Sequence, residues 1–366
     1  MTKNSLDVVV AGGGTAGHIE PALAVAAELR KRGANVIALG TAKGLEKDIV
    51  PARGFELQLI SPVPVPRKIN LDLFKLPLRL IKTIGEARRI LRNHNADILI
   101  GFGGYVSAPG YLAARSLGIP FIIHEANARA GLANKLGEKL GGLGLNAVAG
   151  SGMPGKVVGI PIRTGLHSEA DKAAARERGF QLWGLDPSRR TLVVTGGSQG
   201  AQSLNVAVEK NADALIASGW QILHVYGPKN TAPTPREHLH AVAYVDDMAA
   251  AYQVADVIVC RSGAMTVAEV THAAVPAVYV PLPHGNGEQG LNASAVIKAG
   301  AAVLVDDRNI ADQLVATVDT LIADDQQLGR MREAARNSGV GNAAETIADI
   351  VFDITDTHRA ETDTHS

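Results

Sequence analysis

Residues 8–18 read VVVAGGGTAGH, a short β-branched run followed at once by a glycine-rich turn. Pro21 comes soon after, in the first turn of the helix that the sequence predicts from there. This order points unpaired N–H groups and a helix dipole at one spot, which suits a phosphate or another electron-rich ligand. Residues 191–201, TLVVTGGSQGA, repeat the order in the second half. The two stretches predict an α/β chain made of two similar halves.

Short apolar runs alternate with alanine-rich amphipathic stretches along the chain, which is typical of βαβ units on a parallel sheet. In the first half the predicted strands are Leu6–Ala11, Asn35–Leu39, Asp97–Ile100 and Pro120–Ile123. In the second half they are Thr191–Thr195, Gln221–Val225, Ala241–Val245, Val257–Cys260 and Ala277–Val280. Helices are predicted over residues 21–30 and 109–116. We therefore expect two Rossmann-like domains, each with a doubly wound parallel sheet.

Glycines and prolines are concentrated in residues 150–161, where they favour turns over any long element. We place the domain boundary just after this segment, with a first domain over residues 1–163 and a second over 164–340. Residues 168–190 are expected to form a helix and a loop that lead into the second sheet. A helix is expected over residues 341–353, and the polar residues 354–366 are predicted to form a disordered tail.

Composition excludes several classes of protein. The 36 basic and 36 acidic residues balance, and no long charge run occurs, so no nucleic-acid partner is expected. The single cysteine, Cys260, excludes an internal disulfide and a cysteine-based zinc site and suits a reducing compartment. No stretch approaches the roughly 18 apolar residues of a spanning helix, and the first apolar run is too short for a signal peptide. A cytoplasmic protein, soluble or peripheral to a membrane, is expected.

Two common uses of such glycine turns fit poorly. Residues 12–17 satisfy G-x-G-x-x-G, but a dinucleotide site also wants an acidic residue about 20 positions later, where this chain has Gly40 and Thr41. Residues 196–200 spell the G-x-S-x-G of α/β hydrolases, yet a hydrolase has one such elbow and this turn has a counterpart in each half. Glycines that only allow close helix–sheet packing remain an alternative for both turns.

Each half also has a second turn of small residues. Residues 101–110 read GFGGYVSAPG after one predicted strand, and residues 261–269 read RSGAMTVAE after another. Open α/β sheets bind ligands at the carboxyl ends of their strands. The sequence therefore predicts a ligand-binding cleft between the two domains.

Seven segments together resemble the MurG family of bacterial glycosyltransferases, in order and in approximate spacing. They are GGTAGH (13–18), GGYVS (103–107), HEAN (124–127), GIPIR (159–163), GGSQGA (196–201), DDM (246–248) and RSGAMTVAE (261–269). The resemblance spans about residues 8–351 and implies the GT-B architecture, with the C-terminal helix crossing back to the first domain. It also implies inverting transfer of N-acetylglucosamine from UDP-N-acetylglucosamine to the C4 hydroxyl of lipid-linked N-acetylmuramoyl-pentapeptide (lipid I), which yields lipid II for peptidoglycan.

The resemblance assigns the donor to the second domain. Backbone N–H groups of Ala264, Met265 and Thr266 would meet the diphosphate, Glu269 the ribose and Val245 the uracil edge. Arg163 and Arg261 are expected here too, and an ion pair between the domains stays an alternative role for both. The remaining expected donor residues are Ser198, Val267, Ala268, Glu288 and Gln289. Some relatives have two glutamines where this chain has Glu288 and Gln289, so Gln289 is the stronger expectation.

The first domain would supply the general base and the acceptor contacts. The base candidates are His18, which is favoured because its turn would place it at the cleft, His124 and Glu125. The expected substrate contacts are Thr15, Ala16, Gly17, Tyr105 and Asn127. The family usually has glycine at position 16, so Ala16 narrows the freedom of the loop. GT-B enzymes generally need no bound metal, and we read Asp246–Asp247 as a helix N-cap rather than a metal site.

Residues 71–82, LDLFKLPLRLIK, combine apolar and basic side chains at helical spacing. The apolar face holds Phe74, Leu78 and Ile81, and the basic stripe beside it holds Lys75, Arg79 and Lys82, with Arg67 and Lys68 upstream. Such a helix suits an anionic lipid surface, although a core-packed helix with a charged outer face would look similar. The family resemblance favours docking on the cytoplasmic face of the membrane.

Three other functions stay open from the sequence. One is a GT-B transferase with a different nucleotide sugar or acceptor. Another is a UDP-sugar epimerase, which would bind the same donor without a lipid partner. The third is a non-catalytic nucleotide-sugar binding module.

Overall fold

The structure, a computed structural model, describes residues 5–63, 71–162, 169–283, 287–322, 325–339 and 341–363. The chain divides into two compact units. The first comprises Met1–Arg163 with Val340–Ser366, and the second comprises Thr164–Gly339.

The first unit alternates strands and helices from its start. Its elements are β1 (Asp7–Ala11), α1 (Ala16–Lys31), β2 (Asn35–Gly40), α2 (Glu46–Ala52), β3 (Glu56–Leu59), α3 (Leu71–Asn93), β4 (Ile98–Gly101), α4 (Gly104–Leu117), β5 (Phe121–Glu125), α5 (Leu132–Lys139), β6 (Leu143–Asn146) and β7 (Lys156–Val157). The seven strands form one parallel sheet in the order β3-β2-β1-β4-β5-β6-β7.

The second unit repeats the plan. Its elements are α6 (Glu169–Trp183), β8 (Arg190–Thr195), α7 (Gln202–Ala217), β9 (Trp220–Val225), β10 (Leu239–Val242), α8 (Met248–Val254), β11 (Val257–Cys260), α9 (Ala264–His272), β12 (Ala277–Tyr279), α10 (Glu288–Asn292), α11 (Ser294–Lys298), β13 (Ala302–Leu304), α12 (Ile310–Ile322) and α13 (Asp325–Ser338). Its six strands form a parallel sheet in the order β10-β9-β8-β11-β12-β13. The last helix, α14 (Ala343–Asp363), packs against α1 in the first unit.

Both sheets reverse their winding direction at the centre. The chain moves outward on one side from β1 and on the other from β4, and likewise from β8 and β11. Ala11 pairs with Gly101, and Thr195 pairs with Cys260, so the paired central strands end at the same level. The turns that follow them therefore lie side by side, at the switch point where open α/β sheets bind ligands.

The central strands are apolar along their whole length because helices cover both faces of each sheet. Residues 8–11 and 98–100 are almost completely buried in the first unit, as are residues 192–194 and 257–260 in the second. One face of the first sheet packs against α1 and α14, and the other face packs beneath α3 and α4.

The fold class predicted from the sequence is confirmed, and the differences are local. The strand predicted at Ala241–Val245 lies at Leu239–Val242, and Val245 packs into the core beyond it. Helix α4 begins at Gly104 rather than at residue 109, because Gly103 and Gly104 turn the chain at positive φ directly after β4. The sequence pattern does not predict the short strands β3, β6, β7 and β13.

The C-terminal helix is longer than the sequence suggests. The tail predicted to be disordered from residue 354 instead continues α14 as far as Asp363. Val351 is fully buried, and Thr355, one turn further on, is also buried. The buried face therefore continues past the point at which the composition becomes polar.

Candidate active site

The first glycine turn, residues 12–14, is packed tightly between β1, α1 and α4. A Cβ on Gly12 would lie 2.5 Å from the carbonyl oxygen of His18, and a Cβ on Gly13 would lie 2.5 Å from Val106. Gly17 differs, because a Cβ there would meet only the Thr15 hydroxyl, at 3.7 Å. Packing thus requires glycine inside the turn, whereas Gly17 keeps the start of α1 open.

His18 lies where the turns after β1 and β4 meet. Its Nδ1 is 3.1 Å from the carbonyl oxygen of Gly13 and 3.2 Å from the Thr15 hydroxyl. The opposite edge of the ring faces the second turn, since a Cβ on Gly103 would lie 3.2 Å from Nε2. The ring is half-buried, and its Nε2 has no hydrogen-bond partner among the described residues.

The expected contacts around His18 share this location. Thr15 is the N-cap residue of α1, with no capping bond from its side chain, and Ala16 and Gly17 form the first turn. The N–H groups of that first turn have no partner within the helix. Tyr105 is the second residue of α4, and its hydroxyl lies 3.0 Å from the hydroxyl of Thr41. These five predicted residues, His18 included, are brought together.

His124 is completely buried on β5, and its ring packs 5.5 Å from the Phe102 ring. Nε2 is 2.8 Å from the carbonyl oxygen of Gly159, which can only accept, so Nε2 carries the proton. Nδ1 is buried without a partner among the described residues. Burial lowers the pKa of His124, because a charged imidazole would lose its hydration. The His124 side chain is therefore not exposed in this structure.

Glu125 holds the loop that follows β5. Its Oε1 accepts from the backbone and side-chain nitrogens of Asn127, at 2.9 and 3.2 Å. Its Oε2 accepts from the Gly131 N–H at 3.0 Å and from the Asn134 amide at 2.8 Å. All four bonds are internal and the residue is buried, so Glu125 fixes Asn127, which is half-buried at the start of the loop.

In the second unit, the turn after β8 is built on backbone packing. A Cβ on Gly200 would lie 2.2 Å from the carbonyl oxygen of Tyr226, and a Cβ on Gly227 would lie 2.5 Å from that of Gln199. Gly197 and Gly200 both have positive φ. Ser198 lies between them and is exposed.

The turn after β11 leads directly into α9 and leaves the N-terminus of that helix uncapped. Gly263 is the N-cap residue, and it has no side chain to accept from the first turn. The first backbone bond of the helix runs from Val267 to Gly263 at 3.0 Å, so the N–H groups of Ala264, Met265 and Thr266 have no partner within it. A Cβ on Gly263 would meet nothing closer than 4.0 Å. Donors and dipole converge here on an open position.

Glu269 lies on α9, one turn beyond these donors. Its carboxylate accepts from the hydroxyl of Tyr252 at 2.7 Å. Burial, together with the Glu269 charge, raises the pKa of Tyr252 well above its usual value, so the phenol stays a donor. Val245 and Val267 pack in the same core cluster as Tyr252, and Val245 can therefore offer a ligand only its backbone.

Arg261 is engaged within its own unit. One terminal nitrogen donates to the carbonyl oxygens of Val280 and Pro281, at 3.0 and 3.2 Å, and pairs with Asp307. The other donates to the Ser203 hydroxyl at 3.0 Å. These bonds fix the guanidinium next to the turn after β11, and its expected contact with the diphosphate stays a prediction. The other expected arginine, Arg163, lies outside the described residues.

Glu288 and Gln289 begin α10, which is tied to the turn after β11. The side chain of Asn292 donates to the Ser262 carbonyl oxygen at 3.3 Å, and Gln289 accepts from the Leu282 N–H at 3.0 Å. Glu288 and Gln289 are both half-buried. Ala268 is also half-buried, on α9 between Val267 and Glu269.

The acidic pair after β10 is a helix cap, as the sequence predicts. The Asp247 side chain accepts from the Ala250 N–H at 3.0 Å and thereby caps α8. Within the described ranges, no group of three or more histidine, cysteine or acidic side chains is arranged to hold a metal ion.

Sequence reasoning missed two residues that organise these turns. Glu46 is completely buried, and it bonds to Gly14, Thr41 and Tyr105. Tyr252 holds Glu269. A signal for Glu46 exists, since the buried Val50 lies four positions on and places this carboxylate on the inner face of α2. No sequence signal identifies Tyr252, because its partner Glu269 lies on a different helix.

Comparison with known proteins agrees with this geometry. Residues 8–140 match the model of the glycosyltransferase family 28 N-terminal domain, and residues 191–347 match that of the glycosyltransferase family 28 C-terminal domain. With two parallel-sheet units of this topology, the fold is that of a GT-B glycosyltransferase.

Two relatives that match over nearly their full length narrow the class. The chain is 61% identical over 357 residues, 97% of this chain and 99% of the relative, to the "UDP-N-acetylglucosamine--N-acetylmuramyl-(pentapeptide) pyrophosphoryl-undecaprenol N-acetylglucosamine transferase" of Corynebacterium diphtheriae. Identity to the protein of that name from Mycolicibacterium smegmatis is 48% over 367 residues, 96% and 95% of the two chains. The chain belongs to the MurG family.

Solved structures agree on the fold. The crystal structure of Acinetobacter baumannii MurG aligns with a TM-score of 0.74 and 29% identity, and the match covers 95% of this chain and 99% of that one. A UDP-GlcNAc 2-epimerase from Neisseria meningitidis aligns with a TM-score of 0.67 and 14% identity, over 95% of this chain and all of that one. The fold alone therefore does not separate transfer from epimerisation.

Proposed function

We propose that the protein transfers N-acetylglucosamine from UDP-N-acetylglucosamine to the C4 hydroxyl of lipid-linked N-acetylmuramoyl-pentapeptide, with inversion, in peptidoglycan synthesis. The observation that carries the proposal is the nearly full-length identity of 61% to a relative with that named activity. The uncapped turn at the start of α9 and the half-buried imidazole of His18 supply the two chemical functions that such a transfer needs.

The donor belongs to the second unit in this proposal. N–H groups of residues 264–266 and the α9 dipole would stabilise the diphosphate as it leaves, with no metal required. Glu269, oriented by Tyr252, would accept from the ribose hydroxyls. Gln289 at the start of α10 would contact the sugar, and the Val245 backbone would contact the uracil.

The base belongs to the first unit. Nε2 of His18 would take the proton of the acceptor hydroxyl as the oxygen forms its bond to the anomeric carbon. The bond from that carbon to the diphosphate breaks at the same time, and its electron pair leaves with UDP. His18 is favoured over His124 and Glu125, because those two side chains are buried and bonded internally. Tyr105 and Asn127 would contact the acceptor.

The lipid-linked acceptor requires contact with a membrane surface. Leu78 and Ile81 on α3 are 72% and 67% exposed, beside the exposed Lys82. No described helix is both long and apolar enough to cross a bilayer. The side chains of Phe74 and Lys75, and all of Arg67 and Lys68, lie outside what the structure describes. We propose that α3 docks peripherally on the cytoplasmic face of the membrane.

The proposal is tested by supplying the donor with and without acceptor. Incubation with UDP-N-acetylglucosamine and the lipid-linked muramoyl-pentapeptide should give UDP and a lipid-linked disaccharide in equal amounts. With the donor alone, the nucleotide sugar should be recovered unchanged. Conversion of the donor alone to a 2-epimer would indicate an epimerase instead, and calorimetric binding of the donor without any product would indicate a binding module.

A further inference from the structure

A single peptide group connects the buried carboxylate of Glu46 to the imidazole of His18. The N–H of Gly14 donates to Oε2 of Glu46 at 3.1 Å. The carbonyl oxygen of Gly13, in the same peptide group, lies 3.1 Å from Nδ1 of His18. Hydrogen bonds in such a chain polarise one another, so a negative charge at one end strengthens the acceptor at the other.

The carbonyl end of this chain determines which ring nitrogen of His18 carries the proton. A carbonyl oxygen can only accept, so a hydrogen bond to Gly13 needs a proton on Nδ1, and the Thr15 hydroxyl at 3.2 Å then accepts from the same N–H. Neutral imidazole has one N–H, which leaves Nε2 as the lone-pair nitrogen. Nε2 is on the edge of the ring that faces the turn after β4, with no protein partner among the described residues.

The surroundings of Glu46 keep its carboxylate charged and fixed. Oε1 accepts from the N–H and hydroxyl of Thr41, at 3.0 and 2.9 Å, and from the Tyr105 hydroxyl at 3.2 Å. Burial alone would raise the pKa of Glu46, but the hydrogen bonds from Gly14 and Thr41 lower it below its usual value.

Glycines line the space that the carboxylate occupies. A Cβ on Gly44 would lie 2.0 Å from Oε2, and one on Gly40 would lie 2.6 Å from Cγ. The first glycine turn therefore binds an anion that belongs to the protein itself. This arrangement leaves the uncapped N-terminus of α9, in the second unit, for the anionic donor.

We propose that Glu46 is a positioning residue for the transfer reaction: through the Gly13–Gly14 peptide it holds His18 in the Nδ1–H tautomer and leaves Nε2 ready to accept the acceptor's proton. The inference rests on the proposed role of His18 as the base. Glu46 itself contacts neither substrate. It acts on the reaction only through the orientation and tautomer of the imidazole.

Glu46→Gln tests the connection with little change in shape. The amide oxygen must take the Oε1 position, where three donors converge, and the amide NH2 then faces the N–H of Gly14. Two donors oppose each other there, and the peptide loses its negative partner. Glu28→Gln is the matched control, because Glu28 lies on α1 and pairs only with Lys31 and Arg32 in the described structure.

The readout is the tautomer of His18, observed by ¹⁵N–¹H correlation of the imidazoles in the full-length protein at about pH 8.5, where histidine side chains are neutral. His18→Gln identifies the signal among the eleven histidines. Wild type and Glu28→Gln should show the Nδ1–H tautomer, whereas Glu46→Gln should show a mixture or the Nε2–H form. The kcat of Glu46→Gln should fall about 10- to 100-fold, with the KM for donor within about twofold of wild type.

Two results would overturn the inference. One is an Nε2–H tautomer in the wild-type protein. This measurement does not depend on whether any variant folds. The other is a Glu46→Gln protein that keeps both the Nδ1–H tautomer and its kcat. If Glu46→Gln does not fold, the His18 tautomer and the kcat are measured in Glu46→Asp, whose shorter side chain withdraws the carboxylate from Gly14. Because the tautomer is measured without substrate, absent transfer in wild type would count against the proposed function alone.

Discussion

Gly17 and Gly263 each stand beside the N-terminus of a helix, where a Cβ would meet nothing closer than 3.7 and 4.0 Å. Neither has positive φ, so the backbone does not need glycine at either position. Gly12 and Gly200 are the opposite case, since a Cβ there would collide with backbone atoms at 2.5 and 2.2 Å. A glycine that the fold itself does not require is expected where a ligand must approach the backbone closely.

Gly263→Ala separates ligand approach from folding. We expect the Tm to stay within about 2 °C of wild type, because alanine readily adopts the φ of −61° and ψ of 147° found there. The Kd for UDP-N-acetylglucosamine, measured by calorimetry, should rise about tenfold, since the methyl group would obstruct the diphosphate. Gly85→Ala, at an open position on α3, is the control and should leave the Kd unchanged. An unaltered Kd in Gly263→Ala would place the diphosphate elsewhere.

At this scale the sequence predicts residues whose role follows from local motifs. His18, Glu269 and Gln289 stand at or near the turns that the glycines mark. Glu46 could not be predicted to contact Gly14, because 32 residues separate the two and only the return of α2 onto the turn joins them. Arg261 lies within a predicted motif, but its ion-pair partner Asp307 comes from beyond β13. The motif therefore does not predict this contact.

Among the elements, α8 begins with a cap that the sequence identifies and the structure confirms. Asp247→Ala removes the acceptor for the Ala250 N–H, which should cost about 1 kcal/mol and lower the Tm by about 2–4 °C. The partly exposed ion pair of Asp247 with Arg178 adds little to this. Asp246→Ala is the control, as Asp246 does not cap the helix. Equal Tm values for the two variants in calorimetry would contradict the capping role.

Strand β9 carries a buried histidine that makes the second unit sensitive to acid. Burial lowers the pKa of His224 to about 4, from an ordinary value of 6.5, despite the opposing charge of Glu209. The unfolded chain therefore takes up a proton at a higher pH than the folded chain. The contribution of neutral His224 to the free energy of unfolding is complete above pH 6.5. It is lost progressively as the pH falls toward 4, by on the order of 3 kcal/mol.

His224→Gln removes this titration. Its free energy of unfolding, from urea titrations at several pH values, should change less between pH 6.5 and 4 than that of wild type. Wild type and variant with the same pH dependence would show that His224 is not the group responsible.

Elements were predictable where apolar runs are long and fully buried. The four central strands, β1, β4, β8 and β11, lie within two residues of their predicted bounds. The missed strands β3, β7 and β13 have at most four residues and incomplete burial, so packing rather than local sequence defines them. Helix α14 extends past its polar composition because its inner face continues to contact the first unit.

For the molecule as a whole, the duplicated strand–turn–helix order was sufficient to predict two parallel-sheet units, since each such order demands a sheet with helices on both faces. What it could not predict is how the roles divide between the two similar turns. A buried side chain accounts for part of this division, because Glu46 occupies the turn after β1, whereas the described structure provides no such carboxylate at the start of α9, which follows β11.

Membrane docking through α3 is testable on the intact protein. Leu78→Gln combined with Ile81→Gln should reduce co-sedimentation with vesicles of anionic phospholipid severalfold, because about 70% of each side chain is available to the lipid. Leu182→Gln, at a 60% exposed leucine on α6, should bind like wild type. Undiminished binding of the double variant would exclude this face of α3.

The configuration of the bond that the protein makes distinguishes inverting transfer with His18 as the base from the other reactions. The wild-type protein is incubated with UDP-N-acetylglucosamine, which is α-linked, and a lipid-linked muramoyl-pentapeptide, and the anomeric coupling of the product is read by NMR. We expect a β-linkage to the C4 oxygen, and His18→Gln should lower kcat by about 10²- to 10⁴-fold without loss of donor binding. An α-linked product, or a His18→Gln variant with normal kcat, would contradict this expectation.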